Sequence, residues 1–190
     1  MSDTWSEAAI PGPVDVGGHK LLPLTYGHVV LMERIGLDDV LEPLEFWGFI
    51  GICTRRFKSA CKWVGFYLSP LGQVYYRHKP LPANHDNVFG QAVTYMQQSL
   101  RTPELMTDEG ASSGGIRHGA PALQTMRTVA LSRLNYNPDT IHDAPFLQLV
   151  WDILCYNEQQ GGARIIEGRL AAGLEELKRR QTEREHESAS

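Results

Sequence analysis

The chain has 190 residues, 42% of them hydrophobic, with 18 lysines and arginines against 22 aspartates and glutamates, a net charge of -4 and a pI near 6.0. That is enough apolar material for one ordinary domain with a sizeable core, and the slight negative charge gives no general attraction for nucleic acid or anionic membrane. Three cysteines cannot all pair within the chain, the start lacks a basic region followed by an apolar core, and no apolar run of about 18 residues occurs. A reducing, cytoplasmic setting with protein partners is therefore expected, without secretion or membrane insertion.

Residues 1–23 hold Pro11, Pro13, Gly17, Gly18 and Pro23 among few large apolar groups, which predicts a flexible arm. Leu24, Thr25 and Val29 then have the spacing of a hydrophobic staple around an N-cap, so a first helix begins there and stops at Gly36. Pro43 suits the first turn of a second helix. Phe46, Phe49, Ile50, Cys53, Phe57, Ala60, Cys61 and Val64 keep the 3.6-residue period long enough to predict one continuous core helix. Phe57 falls on its stripe, and if the ring is fully buried Phe57→Ala should cost about 3–5 kcal/mol.

From Tyr67 to Pro82, three prolines, a glycine and poor alternation predict a loop, with one short strand around VYY at most. Asn84 or Asp86 can cap a third helix with Val88, Phe89, Ala92, Val93, Met96 and Leu100 inward, ended before Pro103. Residues 107–121, rich in Gly and Ser, predict a mobile loop. A fourth helix over 122–134 turns Leu123, Met126, Ala130 and Leu134 inward, and Asn137-Pro138 predicts a short helical turn.

The clearest helix lies in DAPFLQLVWDILCYNEQQGG, residues 143–162. Asp143 can cap it, Pro145 is tolerated early, Gly161-Gly162 ends it, and Phe146, Leu149, Val150, Ile153 and Leu154 share a face. Beyond it, Ile165, Ile166, Leu170, Leu174 and Leu177 continue an apolar stripe. Charge pairs such as Glu176 and Arg180, each worth about 0.2–0.5 kcal/mol at helical spacing, then predict a charged end that projects or docks on a partner. The pattern as a whole predicts an all-α single domain of five to six helices: a flexible arm over 1–23, a helical body over 24–166 and a charged C-terminal helix or tail over 167–190.

No catalytic, cofactor or metal site is assigned to any residue. On one helix Cys53 and Cys61 would stand about 12 Å apart, too far to share a tetrahedral metal. The seven histidines form no HExxH or His-x3-His pair, and GASSGGIRHG lacks the lysine and feeding strand of a phosphate loop. Arg55, Arg56, Lys58 and Lys62 are expected on a wet helix face, and Trp47, Trp63 and Trp151 near the core rather than at an interface. A helix-turn-helix is disfavoured because no basic recognition helix follows a helix connection.

Three phrases, in order, resemble small tailed-bacteriophage and prophage proteins akin to tail assembly chaperones. LPLTYGHVVLMERIG, residues 22–36, is similar to their "LTLGH, apolar, apolar, ERLG" start. FWGFIGICTRRFKSA, residues 46–60, resembles their second helix, where a W-x-C-[ST]-R-x-[FY] type phrase is common. APFLQLVWDILCYNEQQGG, residues 144–162, looks like their helix of proline, apolar pairs, Trp or Tyr, a polar end and glycine. These phrases cover roughly a quarter of the chain, and compatible helix order extends the match over about residues 22–165. The resemblance implies a non-enzymatic factor in the host cytoplasm that binds a tape-measure or other tail component, with homo-oligomers as a further option. The long connection between the second and third helices and the charged tail past Gly168 depart from that pattern. They leave open the alternative of a structural tail or connector component retained in the virion.

Overall fold

A computed structural model of the chain describes residues 13–37, 42–100, 104–106, 121–161 and 164–166. Among these are seven α-helices, a 3-10 turn and four short strands: β1 Val14–Val16, β2 His19–Leu21, α1 Tyr26–Ile35, α2 Pro43–Cys53, α3 Phe57–Tyr67, α4 Pro70–His78, α5 His85–Ser99, β3 Glu104–Met106, α6 Ala122–Arg133, the 3-10 turn Ile141–Asp143, α7 Phe146–Gln159 and β4 Arg164–Ile166. The protein is mostly helical, broadly in line with the all-α expectation, with two minor antiparallel strand pairs beside the helices, β1 with β2 and β3 with β4. Residues 1–12 of the expected arm, 107–120 of the expected loop and the charged segment 167–190 lie outside the described residues.

The first pair occupies a stretch expected to be an arm. A two-residue hairpin turn whose twist matches its strands needs positive φ at both positions, and Gly17 (φ 58°) and Gly18 (φ 82°) supply it. The Gly18 N–H donates to the Asp15 carboxylate at 2.9 Å, and Val16 and Leu21 are fully buried. The hairpin rests on α5, where the Gly17 N–H donates to Gln91 Oε1 at 3.2 Å. Its exit is tied from two sides: the Tyr95 hydroxyl donates to the Leu22 carbonyl at 2.6 Å and the Leu22 N–H to the Cys53 carbonyl at 2.8 Å.

Helix α1 begins and ends where the sequence places it, capped by Thr25 and closed by Gly36 in the left-handed region (φ 66°). Helix α2 starts at Pro43 and is buried at every position from Phe46 to Cys53, so it is the central rod of the core rather than an amphipathic surface helix. The single long helix expected from Phe46 to Val64 is two helices. The Thr54 hydroxyl donates back to the Ile50 carbonyl at 2.7 Å, Arg56 is extended (φ -66°, ψ 153°), and α3 starts afresh at Phe57. The apolar period runs through this corner because both helices face the same core. Gly51 makes the fold-back possible, since a Cβ there would lie 2.1 Å from the Trp63 ring.

A smaller core of Tyr26, Ala130, Ile141 and Leu149 joins the other face of α1 to α6 and α7. The starts of α1 and α7 are stitched together by Tyr26 N–H to the Ala144 carbonyl and Phe146 N–H to the Leu24 carbonyl, both at 2.9 Å. Pro145 therefore takes the cap position and Asp143 falls in the 3-10 turn, while Gly161 (φ 83°) ends α7 as expected. Some inward faces differ from the sequence reading: Tyr95 and Ser99 are buried on α5 where Leu100 is not, and α7 buries Leu147 and Trp151 beside Leu149. Ile165 and Ile166 belong to β4, not to a helix.

His28 is completely buried at the meeting of α1 with the α2–α3 corner. Its Nδ1 accepts the Thr25 N–H at 3.3 Å, which leaves Nε2 to donate to the Arg55 carbonyl at 2.7 Å. Burial pushes this ring below the ordinary imidazole value near 6.5, and burial followed by the Arg127 charge does the same for His142. The unfolded chain thus takes up protons that the folded chain refuses. Stability is present in full above about pH 6.5 and falls on acidification, by at most about 1.4 kcal/mol per pH unit for each ring. Denaturant midpoints across that range check this. His28→Gln, which keeps an acceptor for Thr25, should leave a shallower slope due to His142.

Candidate docking site

Helix α4 fills the stretch expected to be a loop. Ser69 accepts the Gly72 N–H at 3.1 Å as N-cap and Pro70 sits in the first turn, a pairing that allows a helix despite the surrounding prolines. The helix is bolted to α3 by polar groups: Trp63 Nε1 donates to the Tyr76 hydroxyl at 2.9 Å and Gln73 Nε2 to the Tyr67 carbonyl at 3.0 Å, while the Tyr67 hydroxyl donates to the Leu44 carbonyl at 3.0 Å and ties α3 to α2. Gly72 presses against the end of α3 so closely that a Cβ would lie 2.0 Å from the Phe66 carbonyl oxygen.

The consequence is a helix whose apolar stripe faces away from the core. Leu71, Val74 and Tyr75, at the i, i+3, i+4 spacing that normally marks a buried face, are 78%, 61% and 56% exposed. Phe66 and Leu68 at the end of α3 are exposed as well, so five large apolar side chains gather around one corner. Single exposed apolar residues are ordinary on a protein surface; a contiguous group on one short helix is the mark of an interaction site.

Beside this corner lies a depression of about 100 Å³ bordered by His19, Trp47, Thr54, Arg55, Trp63 and Lys79 among others, with Tyr76 as the wall it shares with α4. The Lys79 ammonium stands 3.4 Å from the centre of the Trp47 ring and 5.6 Å from that of Tyr76, and the Arg55 guanidinium stands 5.4 Å from Trp63. Arg55 also donates to the Gly51 carbonyl at 2.8 Å and the Thr54 hydroxyl at 3.0 Å, which fixes it over the ring. Burial, and then the Arg55 charge, hold Lys79 below the ordinary lysine value.

The expected wet cationic face is therefore divided. Arg56, Lys58 and Lys62 are exposed, whereas Arg55 is drawn onto Trp63. Trp47 and Trp151 are buried, and Trp63 is half-buried at the depression's edge. The cysteines separate too: Cys53 is buried in the core, where burial raises its thiol far above the usual range, Cys61 is half-buried, and Cys155 is exposed. Among the described residues no group of three or more His, Cys, Asp or Glu is placed to hold a metal. The sequence reading missed α4, though Ser-Pro followed by Leu71, Val74 and Tyr75 carries the start signal and the spacing. No family model, curated protein or solved structure matches the chain.

Proposed function

We propose that this protein is a protein-binding assembly factor without catalytic activity, which holds an apolar segment of its partner on the α3–α4 corner. The observation that carries this reading is the outward stripe of Leu71, Val74 and Tyr75 on a helix that polar contacts fix to the body. Burying such side chains is worth about 25 cal/mol per Å² of apolar area, enough to shield an aggregation-prone partner reversibly. The resemblance of residues 22–36, 46–60 and 144–162 to tail assembly chaperones gives the context. The partner is then a tape-measure type tail component, met in the host cytoplasm. Among the described residues no helix is long and apolar enough to cross a membrane.

Co-expression with a tape-measure type protein tests the reading. In the double variant Leu71→Asp, Val74→Asp both changes fall on side chains more than half exposed, so the fold should melt near the parent temperature. Soluble partner recovered with it should drop at least tenfold, the loss of one interface hot spot. Undiminished recovery removes the corner from the mechanism. Fixed-ratio retention in purified particles instead assigns the chain to the structural alternative.

A further inference from the structure

We infer that the depression walled by Trp47, Trp63 and Tyr76 is the acidic-residue pocket of the docking site: it takes one carboxylate side chain, between Lys79 and Arg55, from an acidic amphipathic helix of the bound partner. This rests on the docking reading and adds to it the charge of the partner. Between Glu45 and Asp86 the sequence has no carboxylate, while Arg55, Arg56, Lys58, Lys62, Arg77 and Lys79 all fall there. The segment that builds the exposed corner is therefore cationic in a chain that is acidic as a whole.

Lys79 and Arg55 are the two cations of that segment held against aromatic rings beside the corner. Among the described residues neither has a carboxylate within ion-pair distance. Each ring attracts its cation electrostatically, yet a ring face cannot replace the hydrogen bonds of a carboxylate. The Lys79 ammonium is weakened by burial and by its like-charged neighbour Arg55, and among the described residues no anion offsets either. An arriving carboxylate relieves both cations at once. Tyr76 connects this pocket to the apolar corner, its ring 4.9 Å from Tyr75 and 6.3 Å from Phe66, so one helix could lay leucines on the corner and a glutamate in the pocket.

A polyanion fits less well. Nucleic acid is bound by a continuous track of cations, whereas Arg77 lines a separate depression with Glu42 and Glu45, and the pocket of about 100 Å³ admits a single small group.

The test uses the full chain and two synthetic amphipathic helical peptides with the same leucine stripe, one flanked by Glu and the other by Gln. The Glu peptide should bind about tenfold more tightly at low salt, the scale of one hydrogen bond to a charged group, and high salt should shrink the gap. Lys79→Gln should equalise the two peptides without moving the melting temperature, and Lys79→Arg should restore most of the difference. Equal binding of both peptides by the parent, or an unchanged ratio in Lys79→Gln, overturns the pocket and leaves the corner intact if Leu71→Asp, Val74→Asp still weakens both. Unchanged binding in that double variant, or no binding by either peptide, overturns the docking reading as well. Preference for single-stranded DNA, inorganic phosphate or anionic vesicles over the Glu peptide, or self-association through the corner, also overturns the proposal.

Discussion

Gly72→Ala is expected to destabilise the protein by about 3 kcal/mol and to abolish partner binding with it, the upper range for a small-to-large change in a packed site. Alanine normally stabilises a helix interior by up to about 1 kcal/mol over glycine, so the sign of the effect is itself informative. The new Cβ would lie 2.0 Å from the Phe66 carbonyl oxygen, 2.9 Å from the Phe66 carbonyl carbon and 3.0 Å from the Tyr67 Cα. All three atoms are backbone of α3, so no side chain can rotate away. Relief requires α4 to move outward, which breaks the Trp63–Tyr76 and Gln73–Tyr67 hydrogen bonds and disperses the Leu71, Val74, Tyr75 stripe. Gly65→Ala and Gly90→Ala are the controls: both positions are exposed on helices with nothing within 4 Å of a built Cβ, and both should gain stability. Urea midpoints of the three variants decide the matter. A stabilised Gly72→Ala protein would detach α4 from the body.

Much of this architecture was legible because local signals and global packing agree. Thr25 with Gly36, Pro43, Asn84 and Gly161 mark helix ends by backbone chemistry that depends on neighbours in sequence, and the structure puts boundaries at those residues or next to them. The break at Thr54–Arg56 was hidden because period alone cannot separate one long helix from two helices facing the same core. The hairpin at Gly17-Gly18 was hidden for a different reason. Its strands are three residues each, too short to register as alternation, and their stability comes from Val88, Gln91 and Tyr95 far along the chain. The outward face of α4 is the least legible feature. Spacing of Leu71, Val74 and Tyr75 implies burial, and only the tertiary position of Gly72 and Tyr76 reverses it.

Phe49→Ala should be the most damaging single truncation, costing about 4 kcal/mol, while Phe57→Ala should cost about half as much. Both phenylalanines fall on the stripe that runs from Phe46 to Val64, and period does not rank them. Their surroundings do. Phe49 is fully buried in the middle of α2, with its ring edge-on to Tyr95 at 5.8 Å, and Tyr95 in turn holds the hairpin exit through Leu22. Removing that ring leaves a cavity in a helix buried at every position from Phe46 to Cys53, beyond the reach of water, so the site collapses poorly. Phe57 is the first residue of α3 and only half-buried, stacked on His142 at 4.3 Å, where water and a small helix shift can fill part of the space. Full burial, the condition for the larger loss at Phe57, is not met. Paired denaturant titrations of the two variants check the ranking, and a Phe57→Ala loss equal to or greater than that of Phe49→Ala would move the centre of the core from α2 to the α1–α3 contact.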